Sequence, residues 1–406
     1  MELPGLATTR IATDADDATP LGESGRVLLQ KGTSFGYALR VLDGETERPL
    51  AEDVCGHLAT ATGEVLFAVS RCDVSWNGTL ERIEVASGQR ATIATQVSGF
   101  SLVVSGDRLV AVTGGGVDER CFWGSARCEL RTLAGGLVVT SGLGCHHPTI
   151  TRSGDVLALR QPAGCLDVTV QDLLIRRATG GAFDVLARGI SPGPSQRWEA
   201  DLSPDQRILL AQRQDATGFA QLAIDLPDGV SRVLATGVVG ADQVPSEFVL
   251  RRFTSSGDSV GFLANTASGI ELRGVPTPGG SEVRVVGGLG LLFSAWPGAE
   301  ALLLHRPGPV HDLLLGDVAG GGFTLLYPAS GETVVVGVTP DGRGAAIIDV
   351  LPSGGTVNFV PRGGPAQPLG RFSVSHLPLP VMDPDGCAVV FDTDLDGGGT
   401  FLARLP

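Results

Sequence analysis

The sequence predicts an all-β fold, a single β-propeller domain of four-stranded antiparallel blades spanning residues 1–406. Three observations carry this. Turn formers are abundant and spread along the chain, with 58 glycines and 25 prolines, and scattered punctuation between short apolar runs favours many strands over a few long helices. Those apolar runs recur after turns of one kind at near-regular intervals. Hydrophobic residues make up 43% of 406, enough for a large shared core.

The turns fall at Ser24-Gly25, Thr62-Gly63, Ser105-Gly106, Ser153-Gly154, Pro204-Asp205, Ser256-Gly257, Pro297-Gly298, Pro340-Asp341 and Pro384-Asp385. Their spacing runs from 38 residues (Gly25 to Gly63) to 52 (Asp205 to Gly257). Each precedes a strand-like run: first Val27-Leu-Leu, Val65-Leu-Phe-Ala-Val69, Leu109-Val-Ala-Val112, Val156-Leu-Ala-Leu159 and Ile208-Leu-Leu-Ala211. Val260-Gly-Phe-Leu263, Ala301-Leu-Leu-Leu304, Ala345-Ala-Ile-Ile348 and Ala388-Val-Val-Phe391 continue the series. A third strand then alternates apolar and polar, as in Leu80-Glu-Arg-Ile-Glu-Val85, and a fourth follows a second turn, as in Glu282-Val-Arg-Val-Val286. Four short strands per unit leave two apolar faces that one sheet cannot bury alone, so such units stack as blades.

Propellers usually have four to eight blades. The last turn is followed by only two strands, the second ending at Leu402-Ala-Arg-Leu-Pro406, and Thr8-Thr-Arg-Ile-Ala-Thr13 can supply the missing outer strand and close the ring. The expectation is eight blades, with seven and nine as alternatives.

Ser203-Pro-Asp-Gln-Arg207 and Thr339-Pro-Asp-Gly-Arg343 resemble the S-P-D-G-R turn of TolB-like (PD40, WD40-like) propeller repeats. Val389-Val-Phe-Asp392-Thr-Asp394-Leu-Asp396-Gly-Gly resembles the strand and acidic turn that follow it in that family. The resemblance implies an interaction scaffold in a bacterial envelope, or a propeller lid on a peptidase. With the repeats running to residue 402, the peptidase-lid form is not the expectation.

Seven cysteines carry the most informative chemistry. Cys55 lies eight residues before Gly63 and Cys72 nine after it; Cys145 lies nine before Gly154 and Cys165 eleven after it. Residues equidistant from a hairpin turn face each other across the strands. Cys121 and Cys128 bracket the next loop, so three local disulfides are expected with Cys387 left over. Disulfides imply an oxidising compartment, periplasmic, cell-surface or secreted. The opening Met1-Glu-Leu-Pro-Gly-Leu-Ala-Thr-Thr-Arg10 lacks the basic and apolar regions of a secretory signal, so a trimmed export signal is expected.

Two metal readings compete with a cofactor-free chain. His57, His147 and His376 fall early in innermost strands, where imidazoles could converge on zinc. Asp392-Thr-Asp394-Leu-Asp396-Gly397 matches the first half of a calcium loop but carries Ala403 where the bidentate glutamate is expected. Phe122-Trp123, inside the Cys121–Cys128 loop, is the aromatic anchor that interfaces use. No G-x-S-x-G is present, and Glu199 with Asp201 is the remaining carboxylate pair.

Net charge of −14, with Lys31 the one lysine, opposes nucleic-acid binding. No apolar run is long enough to span a membrane as a helix. The leading expectation is a monomeric, non-catalytic extracytoplasmic scaffold for a protein or small ligand. The alternatives are a metal-dependent propeller enzyme of lactonase or lyase type and a structural component of a surface assembly.

Overall fold

A computed structural model describes residues 8–12, 15, 17–21, 25–33, 36–60, 62–74, 76–105, 108–113, 127–132, 136–140, 145–160, 171–191, 202–215, 218–240, 251–267, 269–287, 290–295, 300–305, 312–328, 331–373, 380–383, 386–395 and 398–405. Every regular element among them is a β-strand. The chain divides into two compact units, one of Asp14–Ile190 and one of Met1–Thr13 with Ser191–Pro406.

Strand β1 (Thr8–Ala12) belongs to the second unit. The first unit begins with β2 (Asp17–Leu21), β3 (Arg26–Thr33), β4 (Gly36–Asp43), β5 (Thr46–Ala59), β6 (Val65–Ser70) and β7 (Asn77–Glu84). It continues with β8 (Arg90–Ser105), β9 (Arg108–Thr113), β10 (Arg127–Thr132) and β11 (Leu137–Thr140), then β12 (Cys145–Ile150), β13 (Val156–Arg160), β14 (Gln171–Arg176) and β15 (Asp184–Ile190). Strands β2 to β11 form one antiparallel meander and β12 to β15 a separate four-stranded sheet. The meander is three four-stranded repeats run together. One end of β5 pairs with β4 and the other with β6, and β8 joins β7 to β9 in the same way.

The second unit holds β16 (Ile208–Asp215), β17 (Gly218–Asp225), β18 (Ser231–Val238), β19 (Arg251–Phe253), β20 (Ser259–Thr266), β21 (Gly269–Pro276) and β22 (Val283–Val286). After them come β23 (Gly290–Ala295), β24 (Glu300–His305), β25 (Asp312–Asp317), β26 (Phe323–Tyr327), β27 (Glu332–Val338), β28 (Gly344–Leu351), β29 (Gly354–Pro361) and β30 (Gln367–Phe372). The last are β31 (Val381–Met382), β32 (Ala388–Thr393) and β33 (Gly399–Arg404). Strands β23–β26 and β27–β30 are four-stranded sheets, and the final sheet runs β31-β32-β33-β1. Thr8 pairs with Ala403 and Arg10 with Phe401, so the first strand of the chain is the fourth of the last sheet.

Four-stranded antiparallel sheets of this kind fit a propeller. The described strands group into nine repeats. In the fifth repeat Leu202 makes an isolated bridge to Leu209 of β16.

Among the described residues, six turns between the first two strands of a repeat share one construction. Gly63, Gly154, Gly257, Gly342 and Gly386 take left-handed φ between 66° and 83°, which glycine reaches without steric cost. Their amides donate to the carbonyls of Thr60, Thr151, Thr254, Thr339 and Asp383, three residues back. The same Thr or Asp side chains accept from the second strand, at Val65, Asp155, Ser259, Gly344 and Ala388. Ser203 and Gln206 copy the arrangement without glycine. These turns also nest: a Cβ on Gly257 would meet Pro204 at 3.2 Å and one on Gly386 would meet Pro340 at 2.6 Å, each in the preceding turn.

Burial runs from repeat to repeat. Leu28, Leu39 and Leu50 of the first pack with Leu66, Ala68 and Ile83 of the second. Phe67, Val69 and Leu80, on the opposite face of that second sheet, pack with Leu109 and Ala111 of the third. In the other unit Phe359 and Phe372 of the eighth pack with Val389 and Phe391 of the ninth. The second sheet therefore buries both faces against its neighbours, as a blade does.

Candidate functional site

The most elaborated site in the first unit lies where β5 passes from one repeat to the next. Asp53, within the strand, has a left-handed φ of 51°, and the register slips between Val54 and Gly56. A bulge of this kind re-aims the side chains beyond it. Cys55 joins the cluster of Phe67, Val69 and Leu80. His57, two residues on, pairs with Ala68, which belongs to the cluster on the other face. One irregularity thus sends a cysteine and a histidine to opposite sides of the sheet.

On the histidine side, Tyr37 Oη lies 2.9 Å from His57 Nδ1, with the rings edge to face at 5.6 Å. Burial lowers the His57 pKa to about 4; burial, and then the charge of Asp17, raises Tyr37 to about 12. Both groups are neutral across the physiological range, so they share one hydrogen bond whose donor is set by the imidazole tautomer. Asp17 is held by Gln30 Nε2 at 2.8 Å and by the Ala18 amide at 2.8 Å. A pair with pKa values displaced this far from neutrality is poor at proton transfer. It orients the imidazole.

On the cysteine side, Cys55 and Cys72 form a disulfide with a Cα–Cα distance of 6.2 Å. The bond staples the loop between β6 and β7 to β5. The Asp73 amide donates to the Asn77 carbonyl at 2.9 Å, the Trp76 amide to the Asp73 carbonyl at 3.0 Å, and the Asn77 amide to Asp73 Oδ1 at 3.1 Å. The Arg71 amide donates back to the Asp53 carbonyl at 3.0 Å. Arg71 and Trp76 both sit at left-handed φ, 54° and 59°, a conformation that non-glycine residues keep only when the surroundings enforce it. Glu81, buried beneath, accepts from Ser70 at 2.9 Å and from Arg71 at 3.1 Å. Gly78 makes room for the sulfur: a Cβ there would lie 2.9 Å from Cys72 Sγ and 2.5 Å from the Ser70 carbonyl oxygen. At the tip of this fixed loop Val74 is 92% exposed and Trp76 45%.

Of the three disulfides expected from the sequence, Cys55–Cys72 lies among the described residues, and the expected aromatic anchor falls one repeat later, at Phe122-Trp123. Phe122, Trp123 and Cys121 lie outside the described residues, as do Cys165, His376, Asp396, Glu199 and Asp201. Cys128 is described only as backbone of β10, and Cys145 and His147 only as backbone of β12. Cys387 is exposed and forms no disulfide among the described residues. The signal for the Trp76 loop was present in Cys72-Asp-Val-Ser-Trp76, an aromatic four residues past a cysteine in a connection too short to bury it.

The described members of the metal sets serve other partners. His57 Nδ1 is engaged by Tyr37. Asp394 accepts the Ser373 amide at 2.9 Å and the Ser373 hydroxyl, tying the acidic turn to the end of β30. Among the described residues no three His, Cys, Asp or Glu side chains gather as a metal cage. No helix of the described residues is long and apolar enough to cross a membrane.

The conspicuous residues of the Pro-Asp turns carry structure. Asp205 Oδ1 accepts the Ser203 hydroxyl at 2.6 Å, which with the Arg207 amide holds its carboxyl below the usual range. Arg343 donates to the Gly386 carbonyl in the next turn at 3.2 Å, and Arg108 likewise reaches Gly154 at 2.6 Å.

No protein-family model matches the chain. No curated protein matches it in sequence either. Among solved structures it is similar to a eukaryotic initiation factor, at 10% identity and a TM-score of 0.57, over 90% of this chain and 89% of that one. It is also similar to an oligogalacturonate lyase from Vibrio parahaemolyticus, at 13% identity and a TM-score of 0.47, over 99% and 94% of the two chains. TolB from Acinetobacter baumannii is similar at 14% identity and a TM-score of 0.37, over 75% and 78%. At these identities the likeness is one of fold, carried by the initiation factor.

Proposed function

We propose that this chain is a non-catalytic propeller scaffold of an extracytoplasmic compartment, and that it engages a protein partner through the Cys55–Cys72 loop. The single observation behind this reading is a disulfide-stapled, backbone-bonded loop that holds Val74 and Trp76 in solvent. Tryptophan is enriched among interface hot spots, and a loop already ordered before contact loses little entropy on binding. The disulfide fits an oxidising compartment. In the same reading the nine repeats are propeller blades, β1 is the closing strand and the chain is a monomer.

The test is position-specific photocrosslinking in envelope or secreted fractions of the native host. A photoreactive residue in place of Val74 is expected to give a discrete adduct, and one in place of Leu325, itself 52% exposed in β26, is not. Equal labelling at both positions, or none at Val74, would sink the reading. Metal analysis of the same purified protein bears on the catalytic alternative: stoichiometric zinc or calcium lost on His57→Ala or Asp394→Ala would replace the scaffold with a metal-dependent enzyme.

A further inference from the structure

We infer that the partner segment seated on the Cys55–Cys72 loop is cationic, an arginine-bearing stretch with one apolar anchor; this rests on the loop being the binding face. The apolar tip is set among carboxylates. Asp73 is in the loop itself, and Glu52 and Asp53 stand beside it on β5, brought there by the Arg71-to-Asp53 backbone bond. All three are exposed. Two exposed arginines stand nearby, Arg71 at 3.1 Å and Arg90 at 4.0 Å from the buried Glu81 that they share. Three exposed carboxylates and Glu81 outnumber these two guanidiniums, which leaves the loop surface net negative.

The Trp76 indole adds a second preference. A guanidinium stacks on an exposed indole face, with an attraction that grows as water leaves, and it pairs with carboxylates through a planar fork that an ammonium lacks. Val74, nearly fully exposed, supplies the apolar contact. The net charge of −14 draws such a segment in from a distance. It also disfavours a second copy of this chain as the occupant, because like charge would meet like.

The test uses the full disulfide-bonded chain and two synthetic peptides, one of arginine and serine with a single central leucine, the other with glutamate replacing each arginine. Binding is followed by fluorescence anisotropy across a salt series. The arginine peptide is expected to bind with an affinity that falls as salt rises, and the glutamate peptide not to bind. Glu52→Gln with Asp53→Asn should weaken binding by about tenfold and flatten the salt dependence. Asparagine tolerates the left-handed φ at position 53, so the fold survives the change. Trp76→Ala should cost a further factor of about ten, and Asp341→Asn, on an exposed turn of the other unit, should change nothing.

Binding of the arginine peptide that is insensitive to Glu52→Gln with Asp53→Asn, or matched by the glutamate peptide, overturns the cationic assignment while leaving the loop as the contact face. Binding unaffected by Trp76→Ala overturns the loop reading itself. Equal weakening by Asp341→Asn reduces the effect to net charge, and the absence of any binding also overturns the assignment.

Discussion

Two glutamines and an aspartate show how this chain handles positions that glycine would fill more easily. Outer strands turn their corner at left-handed residues: Asp53, Gln96, Gly189 and Gly237. Each stands two residues after an alanine, in Ala51-Glu-Asp53, Ala94-Thr-Gln96, Ala187-Arg-Gly189 and Ala235-Thr-Gly237. Gln206 occupies the glycine position of the Pro-Asp turn at φ 56°. A left-handed non-glycine residue costs about 1–2 kcal/mol, and glycine returns part of that in chain entropy. Gln206→Gly and Gln96→Gly are each expected to raise unfolding free energy by about 0.5–1 kcal/mol, read from denaturant midpoints at unchanged slope; a loss of stability in both would contradict the strain.

His57 gives the residue-scale pH dependence. Its folded pKa of about 4 lies below its ordinary 6.5, so the unfolded chain takes the proton first. The stabilisation is complete above pH 6.5 and is lost as pH falls towards 4. Between pH 7.5 and 4.5 the wild type should lose about 1–2 kcal/mol more than His57→Gln, the full shift at 1.36 kcal/mol per unit being reduced because the ring is half-buried. Parallel pH profiles would show that burial does not hold the imidazole neutral.

At the scale of elements, the turns and second strands were legible because the chain spells them out. The described turns at Gly25, Gly63, Gly154, Gly257 and Asp341 all lie between first and second strands of repeats. What the sequence hid is the joining of repeats. No glycine or proline marks the passage through Ala51-Glu-Asp-Val54, so nothing in the letters shows that β5 serves two repeats, and the register slip there is set by packing on both faces. The Tyr37–His57 pair was hidden for the same reason, since the two residues belong to different repeats and meet only because the bulge re-aims His57. The Cys55–Cys72 pair was legible because hairpin symmetry alone brings the two together. Gly78 is the element-scale test. Gly78→Ala puts a methyl against Cys72 Sγ and the Ser70 carbonyl, on a strand with Leu80 fully buried. It should lower stability by about 2–4 kcal/mol and raise the number of alkylatable thiols in unreduced protein. A normal melting point with the thiol count unchanged would mean that β7 shifts to absorb the methyl.

Within each unit, the clusters make stability a chain of neighbour terms from one repeat to the next. Most strand pairings join segments close in sequence; β1 is the exception, joining Thr8–Ala12 to Gly399–Arg404. Without β1 the last sheet has three strands, and β33 presents Phe401 and Leu402 on an unpaired edge, a template for association with other chains. Deleting residues 1–13 is expected to cost about 2–4 kcal/mol, from the ladder bonds at about 1 kcal/mol each with some apolar burial, and to make the protein associate on concentration. Restoring Thr8–Ala12 after Leu405 through a flexible linker should recover the melting point, because β33 needs an antiparallel partner at that edge and not a particular chain end. If the deletion melts like the full chain and stays monodisperse, the terminal pairing contributes nothing to stability. If the transplanted strand fails to rescue it, the missing stabilisation lies in residues of 1–13 other than the strand.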